Sequence, residues 1–133
     1  MTRPAALALG DVLTVSIPER VPPGHEQEGV RPAVVVGLPD RLGPGRFPVV
    51  VVVPFTSYRG QAWVDAAPER YPRFEAGVAG LRSPSADLLD QLLAVDLQRV
   101  RTRRGRLTAE QYEAVRSGLE RMSAAGETDA ESD

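Results

Sequence analysis

The chain predicts a small curled β-barrel of the α+β class. Three observations predict it: a near-continuous valine run at residues 47–53, short alternating segments punctuated by proline and glycine, and one amphipathic helix near the C-terminus. At 133 residues the chain has the length of one domain. Aromatics are only 5 % of it, so aliphatic side chains must fill the core.

Residues 9–17 alternate, with Leu13, Val15 and Ile17 on one face, and read as a strand. Residues 18–29 are loop, because Pro18, Pro22, Pro23 and Gly24 break regular structure. Residues 32–38 read as a second strand, and 39–46, with Gly43-Pro44-Gly45, as a turn-rich loop. The valine run reads as a strand buried on both faces and ended by Pro54. Residues 61–66, carrying Trp63, read as a further strand, and 67–77 as loop. Residues 85–100 read two ways. Leu88, Leu89, Leu92, Leu93 and Val95 have the spacing and propensity of a helix. Residues 108–122 are the clearer helix: Thr108 and Gln111 make a capping box, and Tyr112, Val115, Leu119 and Met122 share a face. Residues 123–133 are acidic and apolar-poor, as in a disordered tail.

Composition excludes several chemistries. There is no cysteine, so disulfides, thiolate zinc sites and cysteine nucleophiles are ruled out. A single histidine argues further against a structural metal site. No segment has the length of a signal h-region or a bilayer span, which makes a cytoplasmic location the default expectation. Net charge is −2, yet residues 126–133 hold four of the eighteen acids and no base. Sixteen basic residues against the other fourteen acids leave the remainder at +2. All sixteen are arginine, whose planar fork suits phosphates and base edges. A GC-rich coding bias explains that usage best, since lysine and asparagine are both absent.

Candidate chemistry concentrates in Gly24-His25-Glu26-Gln27-Glu28-Gly29-Val30-Arg31, which runs straight into the second strand. A histidine, carboxylates and an arginine so close together suit a phosphate ester: one group takes a proton and another holds negative charge. Read with Gly10-Asp11-Val12, Arg31-Pro32, Pro54-Phe55-Thr56-Ser57, Ser85, Asp90-Gln91, Val95-Asp96, Arg99-Val100 and Gly105, the chain resembles the MazF/PemK/Kid toxins, small endoribonucleases of toxin–antitoxin pairs. The resemblance covers about residues 10–122 and rests on the order and spacing of these pieces. It implies an SH3-like barrel of the PemK/CcdB kind with a C-terminal helix, and a toxin domain at residues 1–122. It also implies a strand around Asp90-Gln91, and that reading is adopted over the helix.

The implied reaction uses no cofactor and no metal. The ribose 2′-OH attacks its own 3′-phosphate, leaving a 2′,3′-cyclic phosphate and a 5′-hydroxyl. Arg31 is the first candidate, gripping the scissile phosphate by electrostatics, with proton donation to the leaving oxygen as a second role. The Thr56 hydroxyl would donate to a phosphoryl oxygen. Glu26 and His25 compete as base. Histidine titrates nearer neutrality, whereas Glu26 sits closer in sequence to Arg31, and its other reading is a charge that holds Arg31 in place. Gln27, Ser57, Asp90, Gln91 and Arg20 are candidate RNA contacts or braces.

Two positions depart from the family pattern. Pro18-Glu19-Arg20-Val21-Pro22-Pro23 replaces an Asp-Pro-containing turn in a loop that touches RNA in relatives, which leaves the cleavage sequence open. Leu88 stands where some relatives carry an arginine, so that residue's role does not transfer. Phe55, Tyr58 and Trp63 could stack bases but read better as core or interface. Arg99, Arg101, Arg103, Arg104 and Arg106 read as a solvated basic edge, with RNA backbone as the other reading. The implied partners are single-stranded RNA, a second copy in a symmetric dimer, and a cognate antitoxin; no membrane is implied. The rivals are a non-catalytic toxin of the same fold that binds DNA gyrase, as CcdB does, and an RNA-binding module that has lost cleavage.

Overall fold

A computed structural model describes residues 6–124. The seven strands are β1 (Asp11–Ile17), β2 (Gly29–Gly37), β3 (Val49–Ser57), β4 (Arg73–Phe74), β5 (Ser85–Asp87), β6 (Leu93–Asp96) and β7 (Val100–Arg106). Helix α1 is one turn (Ala62–Asp65), and α2 (Ala109–Ser123) closes the described chain. All strand pairs are antiparallel, in the order β4-β5-β3-β2-β1-β7, with β6 also on β3. The sheet is curled and not closed. Only the 3-10 turn Leu97–Arg99 separates β6 from β7, although they pair with different strands of the sheet. So short a link forces the sheet to curl.

The curl explains why the central strands are buried on both faces. Val12, Val34, Val53 and Phe55 pack with Val115 of α2 on one side. Leu13, Val15, Val35, Val50 and Val52 pack with Val95 and Val100 on the other. Alternation therefore feeds two cores from the same strands. Helix α2 starts where the sequence places it. Thr108 Oγ1 accepts from Gln111 N at 3.1 Å, and Gln111 Oε1 accepts from Thr108 N at 2.9 Å. Val115 is buried and Tyr112 and Leu119 partly so, while Met122 is exposed.

Three expected elements change. Pro54 does not end β3, which runs on to Ser57. Residues 49–52 pair with β6 and residues 55–57 with β5, so Pro54 falls between the two partners. Its carbonyl accepts from Leu88 N at 2.9 Å, and its missing N–H lies on that same edge, in the gap. The segment around Trp63 is the helical turn α1, not a strand. Its alanines favour a helix, and Asp65 N and Ala66 N donate to Gln61 and Ala62 carbonyls. Asp90-Gln91 lies in a 3-10 turn, Leu89–Gln91, between β5 and β6 rather than in a strand. Leu88 and Leu89 are both buried there, because the turn is wedged between the sheet and α2. The expected tail at residues 123–133 starts too early, because α2 runs on through Ser123; its residues 125–133 lie outside the described residues.

Candidate functional site

An open cleft of about 180 Å³ lies where β2 begins and β3 ends. Arg31, Thr56 and Ser57 line it, as do Arg82, Ser83, Ser85 and Arg104. Phe55 and Leu81, members of the core beneath α2, form its floor. Three guanidinium groups and four hydroxyls face one space, and among the described residues no carboxylate lines it. Such a lining selects an anion.

Regular structure fixes the first wall. Arg31 pairs across the sheet with Val15, and Thr56 with Ala86. The Arg31 Nε donates to Glu28 O at 3.0 Å, which turns the group and leaves its terminal nitrogens without a partner among the described residues. Ser57 Oγ lies 3.4 Å from Ser83 Oγ and ties this wall to the other.

The second wall is a turn. Gly77, Ala79 and Gly80 all have positive φ, and Ala79 at φ 49° is the one non-glycine residue of this kind among those described. A non-glycine residue held there stores roughly 1–3 kcal/mol of strain. The turn is held against β7 by backbone contact. A Cβ on Gly80 would lie 2.6 Å from the Arg104 carbonyl, and one on Gly105 would lie 2.8 Å from Ala79. Arg104 then reaches inward. Its Nε donates to Thr14 Oγ1 at 2.9 Å and its Nη1 to Gly80 O at 3.4 Å. Burial first, and then the charge of Arg82, push the Arg104 guanidinium below its ordinary pKa.

The loop at residues 18–28 does not line the cleft but is braced beside it. Arg20 N donates to the Glu28 carboxylate at 2.9 Å, and Gln27 N to Gln91 Oε1 at 3.2 Å. Arg20 Nε and Gln27 Oε1 are buried without a partner among the described residues. His25 and Glu26 are exposed on this loop, immediately before Arg31. Asp90 is elsewhere. It accepts from Arg70 at 2.9 Å and from Tyr71 at 2.7 Å, in a second cavity lined by α2 residues. Phe55 is core, and Trp63 packs edge-on against Tyr71 at 4.9 Å. The Tyr58 hydroxyl donates to Asp65, the first cause of its raised pKa.

Sequence reasoning missed Arg82 and Ser83 and read Arg104 as one of a solvated edge. The one available signal was the Gly77/Gly80 pair, which marks a turn immediately before Arg82. Among the described residues no group of three or more histidines and acids could hold a metal ion. None of the described helices is long and apolar enough to cross a membrane.

A family model for the PemK-like, MazF-like toxin of type II toxin-antitoxin systems matches residues 8–123. The fold is similar to that of MazF from Deinococcus radiodurans, with TM-score 0.66 and 19 % identity over 94 % of this chain and 100 % of that one. An endoribonuclease from a mycobacterial species, solved with its cognate antitoxin, gives TM-score 0.62 and 13 % identity over 91 % and 99 % of the two chains. Mycobacterium tuberculosis toxin MazF-mt6 gives 0.57 and 18 % over 84 % and 93 %. No curated protein matches in sequence.

Proposed function

Since the chain belongs to the PemK-like, MazF-like toxin family of type II toxin–antitoxin systems, we propose that it is a sequence-specific endoribonuclease that cuts single-stranded RNA, chiefly messenger RNA, without a metal ion. One observation carries the reading: Arg31 and Thr56 line a single cleft that offers guanidinium and hydroxyl groups and, among the described residues, no carboxylate. A phosphodiester seated there meets donors aimed at its non-bridging oxygens.

In this reading the 2′-OH gives its proton to a base as its oxygen bonds to phosphorus. The bond from phosphorus to the 5′-oxygen breaks, and that oxygen takes a proton. Arg31 holds the charge that develops on the phosphoryl oxygens, and its free terminal nitrogens point to proton donation as its second role. Thr56 supplies a neutral donor. Glu26 and His25 are the base candidates, since both stand exposed on the loop just before Arg31. Gln27, Gln91 and Arg20 brace that loop, and Ser57 joins the two walls. Asp90, held by Arg70 and Tyr71, braces the turn before β6. A cognate antitoxin and a second copy of the chain are the protein partners, and the cytoplasm is the site of action.

The gyrase-binding alternative requires no anion cleft. A nuclease assay run beside a gyrase assay separates the two. Mapping RNA 5′ ends after incubation with purified protein tests the main reading: it expects ends at one short recurrent sequence, and ends spread at random, or none, count against it. Glu26→Gln is expected to remove most of the rate and His25→Ala to leave most of it. The opposite pattern would move the base to His25.

A further inference from the structure

We propose that Arg82 and Arg104 form a second phosphate seat in the cleft, which holds the phosphodiester next to the one gripped by Arg31 and Thr56. The inference rests on reading the cleft as an RNA site and assigns the half of it that the chemistry above does not use.

Arg104 owes its place to a β-bulge. Across the β1–β7 pair, Val12 faces Gly105 and Leu13 faces Arg103, so Arg104 is the extra residue. A bulge re-aims a side chain that regular pairing would send elsewhere. Arg103 and Arg106 lie toward the buried Asp11 carboxylate, whereas Arg104 turns to Thr14 and the cleft. Its two hydrogen bonds go to a neutral hydroxyl and a carbonyl, so no carboxylate among the described residues compensates its charge. Arg82 brings a second cation to the same wall and pairs with no carboxylate among the described residues. Two like charges repel, and the fold keeps them together with a turn that has positive φ at Gly77, Ala79 and Gly80. An anion between them would turn that repulsion into attraction. The lowered pKa of Arg104, caused in part by Arg82, agrees with their nearness. Arg31 on β2 and Arg104 on β7 flank β1 and line one cleft with Arg82, which suits a chain that crosses the cleft. A second phosphate would fix the register of the strand and so present one chosen phosphate to Arg31.

The test is the salt dependence of binding to a short, fully 2′-O-methylated oligoribonucleotide of mixed sequence. It keeps every phosphate and cannot be cut by 2′-OH attack. Its affinity is read by fluorescence anisotropy between about 50 and 200 mM salt. The double variant Arg82→Ala/Arg104→Ala is expected to reduce the magnitude of the slope of log affinity against log salt by about 0.7, one phosphate on a single strand. Arg82→Ala alone is expected to give part of that loss, and Thr56→Ala none. A wild-type slope in the folded double variant overturns the proposal. Should Arg104→Ala fail to fold, Arg82→Ala decides alone, because its side chain is exposed, and an unchanged slope then overturns the proposal. The outcome is separable from the nuclease reading. A shallower slope in a protein that cuts no RNA supports the phosphate seat and removes the nuclease. Efficient cutting with an unchanged slope does the reverse.

Discussion

The two walls of the cleft present arginines by different means. Arg31 stands on β2, where sheet pairing with β1 fixes its backbone. Arg82 follows a turn with positive φ, and Arg104 sits on a bulge. The first wall is local: a loop motif flows into an alternating strand. The second is tertiary, because Gly80 and Gly105 let two remote segments touch backbone to backbone. Placing a cation on a strand takes little beyond the strand. Placing two beside each other takes a strained turn and close packing.

The largest expected effect falls on the strand wall. Arg31→Ala should lower the cleavage rate by about 10²–10³, as loss of a charge-stabilising donor typically does. Thr56→Ala should lower it less, since a neutral hydrogen bond is roughly half as strong. Single-turnover rates on folded variants check both. Equal losses would mean that the arginine acts as an ordinary hydrogen-bond donor.

Next comes the turn wall. Gly80→Ala sets a Cβ against the Arg104 carbonyl at a backbone position that disfavours side chains. A loss of about 1–3 kcal/mol in stability is expected from such overpacking. Urea denaturation measures it, and a wild-type midpoint would show that the wall yields freely.

Strand β5 carries Ser85, which lines the cleft, and the fully buried Asp87. Both Asp87 carboxylate oxygens are buried and unpartnered among the described residues, and burial raises the group well above its ordinary 3.8. Folding therefore favours the protonated acid. Its contribution is full below pH about 4 and is lost as pH rises toward the raised folded value. Asp87→Asn should remove that slope, raising the melting temperature at pH 7 relative to wild type and giving no gain near pH 4. Parallel melting curves across pH for the two proteins would contradict this.

The difference between the walls also explains what the sequence made legible. Strands β1 to β3 and helix α2 follow from alternation, the valine run and the Thr108–Gln111 capping box, all local signals. Arg31 and Thr56 were singled out through the family resemblance, and the structure sets both on strands that line one cleft. Pro54 was misread as a stop because only the tertiary arrangement shows that β3 changes partner there. The turn α1 is too short for a helical period to show. Leu88 and Leu89 mimic a helix because a turn between two layers buries neighbouring residues. Arg104 was hidden in a cluster of five arginines, since a one-residue bulge leaves no mark in the sequence.

The central claim is that a cleft built around Arg31 cuts RNA without a metal ion. Its most direct test is to incubate single-stranded RNA with wild-type protein and with folded Arg31→Ala in excess EDTA, then analyse the new ends. The account predicts 2′,3′-cyclic phosphate and 5′-hydroxyl ends from wild type and few cuts from the variant. Cleavage lost on chelation and restored by added metal, or equal cutting by Arg31→Ala, would contradict it.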